Sequence, residues 1–199
     1  MQINVPYKEL GTVPIELVNI AASLCNEINW ADDRYTRDND ISLSTYSRLL
    51  PIPSLSDSSF PYTEKEQQLV NACKDIIAKL PDSFSSMKIV NAEIATLPPK
   101  TLIKLHYDGK WSHKQSNRIH IPITSNDDSF NIWLNTTCKM NPGMVYEINN
   151  RILHGAFNKG DTNRTHLIID SIDPVIFNNE VSEGRSPWRK DTEGLTPST

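Results

Sequence analysis

Hydrophobic residues recur at helical spacing in two segments of the first half of the chain. In the first segment the apolar positions begin after Pro14 and continue to about Trp30. In the second, Thr63 is followed three residues later by Glu66, the pairing of a capping box, and apolar positions then recur as far as Leu80. The spacing predicts one amphipathic helix over each segment.

Short β-rich runs follow in the second half of the chain, separated by turn-forming sequences. The predicted strands cover 87–96, 101–107, 117–124, 130–134, 143–149, 152–157 and 164–172. Two helices followed by a series of short strands predict an α+β fold. We expect a sandwich or jelly-roll β structure with the N-terminal helices packed on one of its faces.

The remaining segments lack a regular pattern. Residues 1–13 are predicted to form an extended arm, and 31–59 a long polar connection with a short strand near 41–46. The prediction for domain organisation is a single domain over 1–175, with a helical part over 1–86 and a β core over about 87–173. The last residues, 176–199, are expected to form a partly flexible tail, onto which Trp188 could dock.

Composition narrows the class of protein. At 199 residues, 38% hydrophobic and 22% charged, the chain is typical of a soluble globular domain. A formal charge of −4 provides no field that would attract nucleic acid, and no apolar run is long enough to cross a membrane. The three cysteines are scattered and the N-terminus lacks the pattern of a signal peptide, so we expect a cytoplasmic protein.

Polar side chains share one face of several predicted strands, because residues two apart in a strand point to the same side. These pairs are His106 and Asp108, Arg118 and His120, and Arg164 and His166. The parity places Ile103 and Leu105 on the face opposite to His106. Buried polar groups are costly unless they are paired or bind a ligand, and a metal ion with an anionic ligand would satisfy all of these groups together.

Two histidines and one carboxylate within the β region could hold that metal ion. The candidates are His106 and Asp108, with His154 supplied by a later β run. Two histidines and a carboxylate, with open coordination positions opposite, hold non-haem Fe(II) for oxygen chemistry. Each element alone is a weak signal, because a His-x-Asp pair or a single histidine more often makes ordinary hydrogen bonds. The ordered combination, with Arg164 beyond it, is stronger.

From about Leu97 to Asp173 the chain resembles the aspartyl/asparaginyl β-hydroxylase family of Fe(II)- and 2-oxoglutarate-dependent oxygenases, which also includes bacterial proline hydroxylases. The matching blocks are Leu97-Pro-Pro-x-x-x-Ile-x-x-His-x-Asp, Arg118-Ile-His-Ile-Pro-Ile, Gly143-x-x-Tyr-Glu-Ile-Asn, His154-Gly-Ala-Phe-Asn and Asp161-x-x-Arg-x-His-Leu-Ile-Ile-Asp. The resemblance implies a double-stranded β-helix, a jelly-roll barrel with its metal inside one mouth.

The resemblance also implies roles for the site residues and an activity. The iron ligands, which are also the catalytic centre, would be His106, Asp108 and His154. Arg164 would bind the distal carboxylate of 2-oxoglutarate, and Arg118 and His120 would contact the end of 2-oxoglutarate nearest the metal. The reaction would use O₂, with ascorbate as a reductant, to hydroxylate an Asp, Asn or Pro side chain and release succinate and CO₂.

The carboxylate at Asp108 separates members of the family and its relatives. Some animal aspartyl/asparaginyl hydroxylases have glycine there, and halogenating relatives in the wider superfamily have a small residue that leaves room for halide. The presence of Asp108 favours a complete ligand triad and hydroxylation.

Other interpretations stay open at this level. A Zn or Mn hydrolase could use the same ligands but leaves Arg164 and Arg118 unexplained. A non-enzymatic cupin-like binding module would be expected to lack one ligand. The substrate, a free amino acid or a residue of a peptide or protein, and the oligomeric state are undetermined. Loops 31–59 and 109–116 are candidate substrate contacts, the latter with Trp111 and His113, and Arg151 is another candidate.

Overall fold

The computed structural model describes residues 3–32, 48–52, 61–108 and 115–184. Within these ranges the helices are α1 (Ile15–Glu27), α2 (Glu64–Ile77) and α3 (Pro174–Ser182), and Asp82–Phe84 forms a 3-10 helix. The strands are β1 (Tyr7–Thr12), β2 (Arg48–Pro51), β3 (Lys88–Leu97), β4 (Thr101–His106), β5 (Asn117–Thr124), β6 (Ser129–Trp133), β7 (Thr136–Cys138), β8 (Met144–Ile148), β9 (His154–Asn158) and β10 (Arg164–Ile172). Among the described helices none is long and apolar enough to cross a bilayer.

The strands form two antiparallel sheets. The major sheet has the order β1-β8-β5-β10-β3-β2, and the minor sheet has the order β4-β9-β6-β7. From β3 to β10 the chain passes repeatedly from one sheet to the other, which is the connectivity of a double-stranded β-helix. The α+β double-stranded β-helix predicted from the sequence is therefore confirmed.

The two N-terminal helices pack on one face of the major sheet. Val18 of α1 and Leu69 of α2 are buried in the same hydrophobic core as Ile119 of β5 and Leu167 of β10. Because side chains alternate along a strand, the neighbouring positions on β5 and β10 face the other way, into the space between the two sheets. The helices therefore close one face of the sheet and leave the other for polar groups.

Helix α2 begins as the sequence predicts. The Thr63 hydroxyl accepts a hydrogen bond from the backbone N–H of Glu66, and the Glu66 carboxylate accepts one from the backbone N–H of Thr63. This capping box satisfies two N–H groups that the first turn leaves without helical partners. The predicted helix after Pro14 is also present, as α1.

The extended N-terminal arm is a strand of the major sheet. Its residues pair with β8 from Tyr7 opposite Ile148 to Thr12 opposite Met144. The ring of Tyr7 stacks on Trp133 of the minor sheet, with ring centroids 5.6 Å apart. The arm thus closes the end of the barrel interior where Trp133 is buried.

Among the described residues, the elements that the sequence pattern did not predict include β2, β7, α3 and the 3-10 helix at Asp82–Phe84. Helix α3 begins with Asp173 as its N-cap and Pro174 at the first helical position, a common start signal. Its Phe177 is buried against Ile172, so the first residues of the expected tail are helical. The predicted strand near 41–46 and the rest of the tail, with Trp188, lie outside the described residues.

Candidate active site

The three proposed metal ligands meet where β4 and β9 pair. His106 is the last residue of β4, His154 is the first residue of β9, and the two lie directly opposite each other. Asp108 follows β4 by two residues. One potential ligand atom from each of the three residues lies within 4.8 Å of the other two, a group that could hold a metal ion. The structure therefore brings together the His-x-Asp pair and the distant histidine.

One detail of the strand parity was wrong. Ile103 pairs with Ala156 and His106 pairs with His154, so three steps along β4 match two steps along β9. This one-residue bulge reverses the alternation, and Ile103 shares the face of His106 rather than the opposite face. Strict alternation could not reveal the bulge, because it depends on the pairing with β9.

Both histidines hold the tautomer that a metal requires. His106 Nδ1 lies 2.8 Å from the carbonyl oxygen of Lys104, and His154 Nδ1 lies 2.9 Å from that of Ile152. Since a carbonyl only accepts hydrogen bonds, each Nδ1 carries the proton and each neutral ring keeps a lone pair on Nε2. A hydrogen bond from the other ring nitrogen is the usual support of a metal-bound histidine.

The surroundings shift the pKa values of these two rings in opposite directions. Burial acts to lower the pKa of His106, but its hydrogen bonds to Asp108 and to the Lys104 carbonyl outweigh burial and raise it. His106 Nε2 lies 3.5 Å from Asp108 Oδ1. Burial lowers the pKa of His154, despite the nearby charge of Asp108. A metal ion would replace the proton that His106 and Asp108 otherwise attract between them.

Asp108 is held by a buried network around Arg118. Arg118 Nη1 donates to Asp108 Oδ2 at 2.7 Å, and Asn150 Nδ2 donates to the same oxygen at 3.0 Å. The other side of the guanidinium forms a bidentate pair with Asp170, at 2.8 and 2.9 Å. Burial opposes the charge on Arg118, but Asp170 and Asp108 raise its pKa above the ordinary value. Arg118 therefore orients the carboxylate of Asp108.

Arg164 is a buried guanidinium in different surroundings. It is 6% exposed, and it donates a hydrogen bond from Nη2 to Asn131 Oδ1 on the minor sheet. Within the described residues no carboxylate pairs with it. Burial lowers the pKa of Arg164 to about 10, so the group is still charged at neutral pH. Burying such a charge is costly unless a group of opposite charge binds to it, so the surroundings of Arg164 favour the binding of an anion.

Between these two arginines lie two buried imidazoles. His120 on β5 and His166 on β10 approach each other with their Nδ1 atoms 3.2 Å apart. Burial, and then the charge of Arg164, lower the pKa of both rings well below the ordinary value, so both are neutral. The Nε2 atom of each ring is buried and has no hydrogen-bond partner among the described residues.

Arg151 was another candidate for a substrate contact. Its charge interacts with that of Glu147. Glu147 lies between the interior residues Tyr146 and Ile148 on β8, so its side chain points to the opposite face of the strand. Trp111 and His113 lie outside the described residues, as do most of loops 31–59 and 109–116.

Sequence reasoning gave no role to three polar residues that the structure places in the site: Asp170, Asn150 and Asn131. For Asp170 the signal was available, because it shares strand parity with Arg164 and His166. Asn131 lies on β6 and Asn150 in the turn that follows β8, and no local pattern of the sequence shows that either residue reaches the site.

Comparison with known proteins identifies the family. Residues 30–174 match the model of the family described as aspartyl/asparaginyl beta-hydroxylase, which covers more than half of the chain. A search of curated protein sequences found no significant match.

Solved structures share the fold at low sequence identity. A Pseudomonas putida prolyl-4-hydroxylase has a TM-score of 0.53 at 12% identity, covering 85% of this chain and 93% of that one. The viral collagen prolyl hydroxylase of Paramecium Bursaria Chlorella virus-1, in complex with 2-oxoglutarate, has a TM-score of 0.51 at 10% identity, covering 84% and 96%. A Trichoplax adhaerens prolyl hydroxylase, bound to a peptide fragment of hypoxia inducible factor, has a TM-score of 0.52 at 10% identity, covering 85% and 84%.

The matched residues, 30–174, include helix α2, strands β2 to β10 and all three clustered residues that are proposed to bind the metal. The fold is the one that these solved hydroxylases share. The chain therefore belongs to the aspartyl/asparaginyl β-hydroxylase family of Fe(II)- and 2-oxoglutarate-dependent oxygenases, and it is a hydroxylase.

Proposed function

We propose that this protein hydroxylates an amino-acid side chain of the Asp, Asn or Pro type, free or within a peptide, and releases succinate and CO₂. The observation that carries the proposal is the combination of the His106, Asp108 and His154 cluster with a buried Arg164 in the same barrel interior, which has no carboxylate partner among the described residues. The cluster suits a divalent metal ion, and the arginine suits the distal carboxylate of a 2-oxo acid.

The residues present fit Fe(II). Two neutral imidazoles with lone pairs on Nε2 and one carboxylate supply three ligand atoms, leaving further coordination positions for other groups. Fe(II) together with 2-oxoglutarate supplies the O₂ chemistry that breaks an unactivated C–H bond. The role of the chain is to hold these ligands at their positions and to orient the substrate.

Three further side chains bind 2-oxoglutarate in this proposal: Arg118, His120 and Arg164. Arg164 binds the distal carboxylate, because a guanidinium presents two parallel N–H groups to it. Arg118 uses three of its five N–H groups on Asp108 and Asp170, which fixes the carboxylate ligand. With its remaining N–H groups it faces the end of 2-oxoglutarate nearest the metal, beside His120.

The test is conversion of 2-oxoglutarate to succinate by the purified protein with Fe(II) and ascorbate. Wild type, His106→Ala and the exposed surface control Lys139→Ala are incubated with a panel of free Asp, Asn and Pro and with short peptides that contain them. We expect succinate formation that one panel member stimulates, that His106→Ala abolishes and that Lys139→Ala retains. Equal succinate from wild type and His106→Ala, with metal demonstrably bound to wild type, would contradict the proposal.

A further inference from the structure

His166 lies beside Arg164 on the interior face of β10. The proposed function assigns no role to this residue. The ring is 1% exposed, and the residues opposite it on the flanking strands are Pro122 and Ala95. Pro122 and Ala95 offer no polar side chain to its Nε2 atom. A buried imidazole nitrogen without a partner is uncommon, because the cost of desolvation is then not offset.

The hydrogen-bond geometry determines which nitrogen of His166 carries the proton. Arg164 Nη2 lies 3.4 Å from His166 Nδ1, and a guanidinium can only donate. His166 Nδ1 must therefore accept, and His120 Nδ1, 3.2 Å away, must donate to the same atom. A neutral His166 then has its single proton on Nε2. His120, also neutral, has its proton on Nδ1 and a lone pair on Nε2.

We propose that His166 is a second donor to the anion that Arg164 binds, so that its Nε2–H and the Arg164 guanidinium hold one distal carboxylate together. The inference rests on the proposed function and extends it to the binding of the cosubstrate. His120 is the positioning residue that keeps the proton of His166 on Nε2. Its own Nε2 lone pair can accept a hydrogen bond from a water molecule.

The arrangement defines the ligand that this end of the site accepts. Two donors, one charged and one neutral, suit a carboxylate, and they disfavour an ammonium group, which has only N–H donors and would place N–H against N–H. The interior therefore selects a 2-oxo acid with a second carboxylate over one that ends in an apolar or cationic group.

Two substitutions of His166 separate a role in ligand binding from a structural role. His166→Gln can retain a donor near the position of Nε2, but it loses the acceptor that Arg164 and His120 use. His166→Asn can retain an acceptor near Nδ1, but it does not reach the ligand. Each variant is compared with wild type by isothermal titration of the Mn(II)-loaded protein, without turnover. The ligands are 2-oxoglutarate and oxalate, which chelates a metal ion but has no distal carboxylate.

We expect His166→Asn to weaken 2-oxoglutarate binding about tenfold or more, since hydrogen bonds to charged groups have that strength, and His166→Gln to stay within about threefold of wild type. Oxalate binding and the unfolding temperature should change little in both. Retention of 2-oxoglutarate binding by His166→Asn, or its loss in His166→Gln, would overturn the inference, as would parallel loss of oxalate binding. Wild type that binds Mn(II) but not 2-oxoglutarate would instead refute the proposed function.

Discussion

Arg118 and Arg164 are two buried guanidinium groups in the same barrel interior, but their surroundings differ. Arg118 contacts two carboxylates, Asp108 and Asp170, and needs no ligand to offset its burial. Arg164 contacts an amide and an imidazole among the described residues, so its charge is solvated only in part. This difference separates the arginine that organises the site from the arginine that is available to an anion.

Replacing Arg164 by alanine should remove most of the affinity for 2-oxoglutarate and leave metal binding largely intact. The loss should reach at least about thirtyfold, because removing one partner of a buried charge pair costs about 2 kcal/mol or more. Titration of the metal-loaded protein with 2-oxoglutarate measures it, and Arg164→Lys is the control that keeps the charge without the two-pronged geometry. Equal loss of metal and 2-oxoglutarate binding would mean that Arg164 is structural.

Replacing Asp108 by alanine should abolish hydroxylation. The change removes a proposed metal ligand and also removes one of the two carboxylates to which Arg118 donates hydrogen bonds among the described residues. Product formation and Fe(II) affinity are measured together, and Asp108→Glu tests whether a carboxylate at a different reach restores either. Near-normal turnover by Asp108→Ala would place this protein with the relatives that use two histidines.

At the scale of elements, the pairing of β4 with β9 positions His106 and His154, two of the three proposed metal ligands. The bulge between Ile103 and His106 allows both histidines to point into the interior from the same place on adjacent strands. Gly155 follows His154 and faces the bulged strand: a Cβ there would lie 2.6 Å from the carbonyl oxygen of Ile103. The absence of a side chain at Gly155 therefore permits the close approach that brings the ligands together.

Gly155→Ala should both destabilise the fold and weaken metal binding. The added methyl group must push β4 away from β9, and overpacking of this kind costs about 1–3 kcal/mol. Urea unfolding and Mn(II) titration measure the two effects, with the exposed β7 substitution Thr137→Ala as a control. Wild-type metal affinity in Gly155→Ala would show that the approach of the strands is not needed for the site.

At the scale of the whole molecule, the major sheet separates an apolar layer from a polar interior. On one side β5 and β10 contribute Ile119 and Leu167 to the core shared with the helices. On the other side the same two strands contribute His120 and His166, which burial keeps neutral. Folding therefore couples the protonation of these imidazoles to stability, because an unfolded chain would protonate them at mildly acidic pH.

Stability of the metal-free protein should fall as the pH is lowered from about 7.5 to about 5.5. The folded-state pKa of His120 and of His166 lies well below the unfolded value of about 6.5, so below that pH the unfolded chain binds more protons. Each ring contributes about 1.4 kcal/mol in total across this window, because the unfolded ring goes from mostly neutral to mostly protonated within it. His154 acts in the same direction, whereas the raised pKa of His106 acts in the opposite one.

Urea unfolding at several pH values in the presence of a chelator measures this dependence. His166→Asn removes one titrating group and should reduce the slope. An unchanged slope in that variant, or stability that rises toward acidic pH in wild type, would contradict the assignment of neutral rings.

Local pattern was sufficient to predict α1, α2 and seven strands of the barrel, because periodicity and caps are properties of neighbouring residues. Local pattern did not predict β2 and β7, which are short. It also did not predict α3, although Asp173 and Pro174 form a common helix start signal. It also missed the bulge in β4, since a bulge is defined by the partner strand.

The sequence by itself determined the fold class and the residue types of the site, because strand parity and the order of the motifs are written along the chain. Only the tertiary structure decided how these residues are used. It joined Arg118 to Asp108 and Asp170, left Arg164 without a carboxylate among the described residues, and set the proton positions of His120 and His166. These outcomes depend on distances between strands that are far apart in sequence, and such distances arise from packing.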